Sequence, residues 1–353
     1  MDAFSPSQVA VVRVGMDLSG SQWGNNLAAA PEYFLKNGLR SFLLKKFGNR
    51  YRELVVDAAP SSQQREGQEV QHLDDILRVS RDVQWLTRQL FMEGAFVILL
   101  GGEQTADLGL VAGAATSGTH PRHHRRRISL SSLDGHLDCH FAGDSITNHV
   151  HGQVRAADCG YGQRDLVNFH GGTPTRRVVP RVKGENIVIV GTNEANVKFF
   201  SGLETTCDPS LRGLRARTNE QEIANAKAWG IKTFPMHEIQ KGNSNGEYLA
   251  SSTAAWQNRF QVVLNQILCQ TRGHVVLCDL DHLHEDVAPG VAMRNPEGMS
   301  LEQSLWTMRT IARQASHELM GVAIVEGDPA HDIDKKTARV TVELMSALTS
   351  QMR

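Results

Sequence analysis

Short runs of apolar and β-branched residues recur along the whole chain, and turn-forming residues bound most of them. Eight such runs can be distinguished, at residues 9–15, 53–57, 95–100, 128–133, 186–191, 231–236, 274–278 and 322–326. Most are too uniformly apolar for strands with one face in water, which would alternate apolar and polar positions. Strands that are covered by helices on both faces have this pattern, so we predict a parallel sheet in an α/β fold.

Apolar residues three and four positions apart occupy several segments between these runs. Residues 68–93 show this spacing, which predicts an amphipathic helix, and residues 301–319 and 335–352 show it as well. The sequence has no internal repeat and no Pro/Ser-rich linker. A fold with a wide parallel sheet can use 353 residues as one unit, so we predict a single domain over residues 1–353.

The balance of acidic and basic residues indicates which kind of molecule the protein binds. The chain has 37 Lys and Arg residues against 38 Asp and Glu residues, so no field of one sign favours nucleic acid or an anionic membrane. A small-molecule partner fits better. The one basic run, at residues 120–127, is interpreted as a solvated loop rather than a phosphate site, and residues 170–177 are a second loop without an assigned role.

The cysteines and the absence of long apolar stretches indicate the cellular compartment in which the protein is expected. Five cysteines without a CxxC spacing disfavour both a disulfide framework and a thiolate zinc site. The N-terminus does not resemble a signal peptide, and no stretch approaches about 18 uninterrupted apolar residues. We therefore expect a soluble cytoplasmic protein.

Acidic residues follow two of the apolar runs directly. The fourth run leads into Asp134, His136 and Asp138, and the seventh leads into Asp279 and Asp281. In an extended backbone the alternation would point the first three side chains in the same direction. Because ligands of open parallel sheets bind at the carboxyl ends of strands, we expect these four carboxylates and one imidazole to converge.

Such a cluster of like charges is unfavourable unless cations compensate it. Two divalent ions would cancel four carboxylates, and oxygen ligands with an occasional imidazole suit Mn²⁺ and similar ions. Either motif alone is more typical of capping or solvated aspartates. Together, at the ends of two apolar strands, they favour a metal site.

The two motifs resemble the aspartate-rich signatures of the ureohydrolase family, which includes arginase, agmatinase and formimidoylglutamase. Weaker resemblances stand in order around them. Gly101–Gln104 occupies the place of the family's GGDH turn, His151 and Gly152 that of its active-site His-Gly pair, and residues 325–329 resemble its late Glu-x-Asn-Pro segment. The resemblance spans nearly the whole chain.

The resemblance implies a three-layer α/β/α fold with an eight-stranded parallel sheet, in a homo-trimer or homo-hexamer. It also implies two metal ions, Mn²⁺ with Ni²⁺ or Zn²⁺ as alternatives, that activate water for attack on a guanidinium or amidine carbon. Asp134 and Asp279 would bridge the ions. His136 and Asp281 would complete one site, and Asp138 would serve the other.

Catalytic roles follow from the same resemblance. Glu326 would accept hydrogen bonds from the planar guanidinium, which is a charge-assisted pairing. His151 would shuttle protons, with a pKa near neutrality. Asp138 would act in catalysis as well as in metal binding.

The chain departs from the family pattern at the GGDH turn. Gln104 stands where the family has a metal-binding histidine, and Glu103 precedes it. An amide oxygen can bind a hard ion but is a poorer ligand than imidazole for a transition metal, so we expect Gln104 to make a weaker site. His140 could compensate, although a role next to the site rather than as a ligand is the better interpretation.

Substrate-binding positions also differ. Thr147 and His149 stand where arginases hold the substrate carboxylate, and Asn196 replaces the acidic residue that binds the α-amino group. We therefore predict an amidinohydrolase that cleaves a C–N bond of a guanidino or amidino compound other than arginine. The alternative is a non-catalytic arginase-like protein with a degenerate metal site that acts in binding or assembly.

Overall fold

The structure of the protein is a computed structural model that describes residues 5–18, 25–60, 72–118, 126–141, 149–169, 180–193, 212–240 and 250–353. An eight-stranded sheet with parallel pairing between all neighbours lies at its centre. The strands are β1 (Val9–Val14), β2 (Tyr51–Val56), β3 (Phe96–Gly101), β4 (Ser129–Leu133), β5 (Ile187–Val190), β6 (Lys232–Phe234), β7 (His274–Asp279) and β8 (Leu319–Val325). Every residue of β3, β4, β7 and β8 is buried, as expected for central strands covered on both faces.

Helices cover both faces of the sheet, which gives three layers, α/β/α. The helices are α1 (Ala30–Phe34), α2 (Arg40–Phe47), α3 (Leu73–Met92), α4 (Asp107–Thr116), α5 (Val154–Asp158), α6 (Arg164–Asn168), α7 (Arg212–Trp229), α8 (Met236–Ile239), α9 (Ala250–Leu268), α10 (Leu301–Gln314) and α11 (Lys336–Leu348). Successive residues of β1 enter different cores: Val12 packs in the core that includes α3 and α4, whereas Val11 packs in the core that includes α1, α2 and α11. No helix in the described ranges is long and apolar enough to span a membrane.

The predicted fold class is confirmed, and each of the eight apolar runs forms a strand with small differences at its ends. The predicted helix over residues 68–93 is α3, whose first predicted residues lie outside the described ranges. The predicted helix over residues 301–319 is wrong at its end, because α10 stops at Gln314 and β8 already begins at Leu319. The buried residues Leu319 and Met320 continue the apolar run of β8, and periodicity alone could not assign them to the strand.

The strand order places the acidic motifs next to each other. The order is β2-β1-β3-β8-β7-β4-β5-β6, so β3, β8, β7 and β4 are neighbours in the middle of the sheet. In this parallel arrangement Leu133 at the end of β4 pairs with Cys278 near the end of β7. Residues that follow these four strands therefore meet at one edge of the sheet.

Candidate metal centre

Polar residues from four neighbouring strand ends surround the candidate site. Gln104 follows β3 and Glu326 follows β8. Asp279 ends β7, and Asp134 follows β4. Glu326 has a φ of 62°, in the left-handed region that a non-glycine residue rarely adopts. Such backbone strain is concentrated at functional sites, where the surrounding structure holds it.

Asp134, His136 and Asp281 form a compact group that we call the carboxylate–imidazole cluster. One potential ligand atom from each residue lies within 4.8 Å of the other two. His136 Nδ1 is 3.0 Å from Asp281 Oδ2 and 3.8 Å from Asp134 Oδ1. Both carboxylates are buried. Two of the motifs found in the sequence thus meet in space, one from β4 and one from β7.

Backbone amides fix the orientation of these carboxylates. The His136 N–H donates to Asp134 Oδ1 over 2.8 Å, the Gly135 N–H donates to Asp281 Oδ1 over 3.0 Å, and the Asp281 N–H donates to Asp279 Oδ1 over 2.9 Å. A Cβ atom on Gly135 would lie 3.0 Å from Asp281 Oδ1, so a side chain there would crowd the carboxylate. The two acidic motifs therefore hold each other in place through local hydrogen bonds.

Asp138 does not join this group in the way the sequence alternation predicted. The chain is not a strand beyond Leu133, because the Asp134 side chain accepts a hydrogen bond from the backbone two residues on and turns the chain. Asp138 itself has a φ of 53°. Its Oδ2 atom is buried and has no hydrogen-bond partner in the described part of the chain. The condition of the period-two expectation, an extended backbone, is therefore not met at these residues.

Two asparagines support the cluster and were not predicted from the sequence. Asn295 Nδ2 donates to the carbonyl oxygen of Asp281 over 2.9 Å, and Asn193 Nδ2 donates to Asn295 Oδ1 over 2.8 Å. The Asn193 N–H also donates to the carbonyl oxygen of Gly135. Asn193 follows β5 at the same edge of the sheet, and that position is a signal that could have identified it.

Gln104 is oriented by two carboxylates. Its backbone N–H donates to Glu326 Oε1 and its Nε2 donates to Asp134 Oδ2, each over 2.8 Å. The amide nitrogen of Gln104 thus faces Asp134, an orientation that suits an ionised carboxylate, which only accepts hydrogen bonds. Glu103 points elsewhere: its Oε2 accepts from the Leu18 N–H over 2.9 Å, and its Oε1 accepts from the Thr105 hydroxyl. Glu103 thus ties the turn after β3 to the segment after β1.

The electrostatics of the site favour a bound cation. Burial, and then repulsion from Asp281, raises the pKa of Asp134 to about 7. Burial and neighbouring carboxylates raise the pKa values of Asp138 and Asp279 well above their ordinary range. Burial also opposes ionisation of Asp281, but His136 and the hydrogen bonds of Asp281 with Gly135 and Asp279 together outweigh burial and lower its pKa. One imidazole does not compensate four carboxylates, and this excess of negative charge is what a divalent ion would balance.

A buried ion network lies beside the site, and sequence analysis missed it. Arg155 donates to Asp107 through Nη2 and to Asp158 through Nη1 at 2.9 Å, and Arg181 Nε donates to Asp158 at 2.9 Å. All four side chains are buried completely. We call these four residues the arginine network. Its charges sum to zero, and the only signal in the sequence was an arginine within the otherwise apolar start of α5.

The arginine network is joined to the candidate site through Asp138. The backbone N–H groups of Arg155 and Ala156 donate to the carbonyl oxygen of Asp138, at 3.0 and 3.3 Å. Burial raises the pKa values of Asp134 and Asp138, and the guanidinium of Arg155 opposes this effect at both carboxyls. Arg155 therefore supplies a fixed positive charge near two of the site's carboxylates.

The histidines that follow the DxHxD motif occupy two different environments. The rings of His149 and His151 stack, with centroids 5.4 Å apart and an interplanar angle of 12°. Burial, and then His149, lowers the pKa of His151 to about 3, so the predicted near-neutral pKa is wrong: the ring is neutral because its surroundings disfavour charge. His140 lies 3.2 Å from Glu222 Oε2, in a pair with α7 and outside the carboxylate–imidazole cluster.

Glu222 holds the segment after Asp138 against α7. Its Oε1 accepts from the Cys139 N–H over 2.8 Å, and Asn225 Nδ2 donates to the carbonyl oxygen of Cys139 over 3.0 Å. These contacts had no signal in the sequence, because α7 lies far from this segment along the chain. The predicted substrate-binding residues Thr147 and Asn196 lie outside the described residues.

Comparisons with known proteins agree with this geometry. The sequence profile of the arginase family matches residues 7–350. An arginase of Brevibacillus brevis is 27% identical over 277 residues, which cover 78% of this chain and 76% of the relative. The crystal structure of an arginase from Bacillus subtilis superposes with a TM-score of 0.74 at 22% identity, covering 97% of this chain and 98% of that one.

Another solved structure with this fold is that of an enzyme other than arginase. The formimidoylglutamase of Bacillus subtilis has a TM-score of 0.65 at 14% identity, covering 99% of this chain and 88% of that one. At such identities the structures establish the fold, and the profile match over nearly the whole chain establishes the family. The predicted ureohydrolase resemblance is confirmed: the chain belongs to the arginase family and is a hydrolase of the ureohydrolase kind.

Proposed function

We propose that the protein is a metal-dependent amidinohydrolase that cleaves a C–N bond of a guanidino or amidino compound other than arginine. The observation that carries the proposal is the carboxylate–imidazole cluster at the carboxyl ends of β4 and β7. In a chain of the arginase family, this position and this donor set support hydrolytic metal chemistry. The product would be urea or an analogous amide.

The residues of the cluster suit a divalent ion of the Mn²⁺ type. Two carboxylates and one imidazole are the ligands such ions accept, and the buried carboxylates lack enough protein cations to balance them. Asp134, His136 and Asp281 would hold the ion, with Asp279 beside them. A bound divalent ion would lower the pKa of water toward neutrality and would polarise the substrate. Ni²⁺ and Zn²⁺ are alternatives for this donor set.

Glu326 is suited to bind the guanidinium or amidinium group. Burial raises the pKa of its carboxyl well above the ordinary range, and only one of its oxygens accepts a hydrogen bond from Gln104. A planar cation beside Glu326 would favour the ionised carboxylate and pair with it through charge-assisted hydrogen bonds. We propose that Glu326 orients the substrate carbon toward the cluster.

The remaining predicted catalytic residues, His151 and Asp138, would also act on the substrate. We propose that His151, as a neutral imidazole, holds a hydrogen bond to the substrate or water rather than carrying a proton in the resting state. Asp138, whose buried Oδ2 has no hydrogen-bond partner in the described ranges, could accept one from a reacting group. Both roles require that the His151 ring and the Asp138 carboxyl approach the same bound substrate or water.

The tail of the substrate would differ from that of arginine. Asn196 lacks the negative charge with which arginases bind an α-amino group, and we propose that this change disfavours an amino-acid tail. Thr147 and His149 would contact the tail instead. The ring of His149 stacks on His151, and burial lowers its pKa, so it would offer a neutral donor or acceptor.

We further propose that the protein forms a homo-trimer or homo-hexamer and acts in the cytoplasm. The family resemblance supports the assembly, and the nearly balanced charge of the chain supports a small-molecule partner in place of a nucleic acid or membrane surface.

A substrate panel tests the proposal directly. Protein loaded in turn with Mn²⁺, Ni²⁺ and Zn²⁺ is assayed for release of urea or ammonia from guanidino and amidino compounds with different tails, arginine included. We expect turnover with at least one compound, and faster turnover than with arginine. Preference for arginine would contradict the substrate assignment, and no hydrolysis of any compound with any metal would contradict the enzymatic function.

A further inference from the structure

The two sides of Asp134 differ in what they offer to a cation. One carboxylate oxygen faces His136 and Asp281, within the carboxylate–imidazole cluster. The other oxygen, Oδ2, accepts a hydrogen bond from Gln104 Nε2. The family resemblance implies two ions, one on each side. We propose that this protein binds a single divalent ion in the carboxylate–imidazole cluster and that Gln104 closes the second position; the inference rests on the proposed metal-dependent function.

The orientation of Gln104 is the first reason. A side-chain NH₂ group has two donors and no lone pair for a metal, so the part of Gln104 that faces Asp134 cannot be a ligand. The same contact occupies the Asp134 oxygen that a second, bridged ion would need. Turning the amide by 180° would replace this donor with an oxygen, which an ionised Asp134 carboxylate would repel.

The surroundings hold Gln104 in this orientation. The side chain is 4% exposed, and its backbone N–H donates to Glu326 Oε1 over 2.8 Å. Glu103, directly before it, is fixed by hydrogen bonds from Leu18 and Thr105. The turn after β3 is therefore anchored at three points, and a rearrangement that would bring the Gln104 oxygen to an ion would break at least one buried hydrogen bond.

The position of Asp138, which would serve the second ion, is the second reason. Its carbonyl oxygen accepts from the backbone N–H groups of Arg155 and Ala156, at 3.0 and 3.3 Å, and its φ is 53°. These contacts hold Asp138 against the start of α5. Within the described residues, the group of potential metal ligands consists of Asp134, His136 and Asp281, and this group excludes Asp138.

Metal counting decides the question without an activity assay. Metal-free protein is loaded with excess Mn²⁺, freed of unbound metal, and analysed for manganese per chain and by electron paramagnetic resonance. We expect one Mn²⁺ per chain and the six-line signal of an isolated ion. Two tightly bound ions per chain, with the signal of an exchange-coupled pair, would overturn the inference.

Two variants assign the effect to Gln104. Gln104→His supplies an imidazole in place of the amide and should add a second ion, with a coupled signal. Gln104→Leu removes the donor to Asp134 without supplying a ligand and should stay at one ion. Equal counts for both variants would overturn the role of Gln104, and if Gln104→His does not fold, the wild-type count and signal still decide the number of ions. The absence of any bound ion in the wild type, with Mn²⁺, Ni²⁺ and Zn²⁺ alike, would instead contradict the proposed function.

Discussion

The carboxylate–imidazole cluster and the arginine network are neighbouring buried polar regions that balance their charges differently. In the arginine network, two guanidinium groups and two carboxylates form direct ion pairs, and the total charge is zero. In the cluster, Asp134 and Asp281 share one imidazole, and Asp279 adds a further carboxyl close by, whose ionisation burial and these two carboxylates oppose. The network is complete within the protein, whereas the cluster is complete only with a ligand.

This difference separates structural charges from functional ones. Burying ions costs several kcal/mol for each group, and the protein retains such groups either in satisfied pairs or where a ligand compensates them. Buried ion pairs that are complete within the protein should contribute to its stability and little to the reaction it catalyses. Uncompensated carboxylates should do the opposite, so the two regions are expected to respond in contrasting ways to substitution.

A substitution beside the carboxylate–imidazole cluster should reduce activity without reducing the stability of the protein. Asp279→Asn removes a carboxyl whose ionisation burial, Asp281, Asp134 and Glu326 oppose, while it keeps the size of the side chain and an oxygen for the Asp281 N–H. We expect activity to fall by at least about a thousandfold, or about 4 kcal/mol, because the metal site loses a carboxylate. The unfolding free energy of the metal-free protein should stay level or rise.

Asp286→Asn is a matched control, since Asp286 also follows β7 but has a side chain that is 88% exposed. It should leave both the rate and the unfolding free energy at wild-type values. Retained activity in Asp279→Asn would mean that the reaction centre lies elsewhere.

The arginine network should show the reverse response. Arg155→Met leaves Asp107 without its buried partner, and removal of one member of a buried pair costs about 3–5 kcal/mol. Chemical denaturation of the metal-free protein measures this loss. Lys183→Met is the control, because Lys183 pairs with Glu185 on the surface, where such a pair contributes about 0–1 kcal/mol. A loss no larger for Arg155→Met than for the control would remove the distinction between the two regions.

Much of the fold and of the cluster could be predicted from the sequence, because the signals are local. Apolar runs marked all eight strands, and two short acidic motifs marked the residues of the cluster. A residue at the end of a buried strand has few possible surroundings, so the sequence alone was enough to place Asp134 and Asp281 at one sheet edge. The acidic motifs and the parallel order of the strands were sufficient to predict the position of these two residues.

The arginine network could not be predicted, because it depends on distant pairings. Asp107 and Arg155 are 48 positions apart and join α4 to α5 across connections whose course no periodicity fixes. The orientation of Gln104 depends in the same way on Asp134 and Glu326, which come from two other strands. The sequence identified Gln104 as a departure from the family pattern, but only its neighbours in space show which atom faces the site.

The two ends of β7 extend the contrast from ion pairs to neutral groups. Asp279 lies at the carboxyl end, in the candidate site, whereas His274 lies at the amino end, completely buried, with its Nδ1 atom 2.9 Å from Ser129 Oγ. Burial lowers the pKa of His274 to about 3. The folded state therefore holds this imidazole neutral at pH values where the unfolded chain, with a pKa near 6.5, takes up a proton.

The direction in which pH changes the unfolding free energy follows from this difference in proton uptake between the folded and the unfolded chain. Stability from neutral His274 is fully present above about pH 6.5 and is lost as the pH falls toward about 3. Between pH 7.5 and pH 5 the loss should be about 2 kcal/mol in the wild type and should be absent from this source in His274→Gln. His237→Gln, which removes an exposed histidine, is the control. If the unfolding free energies of His274→Gln and the wild type fall equally between these pH values, burial of His274 does not couple folding to pH, and the acid sensitivity must come from other groups whose pKa values burial lowers, such as His151 and His282.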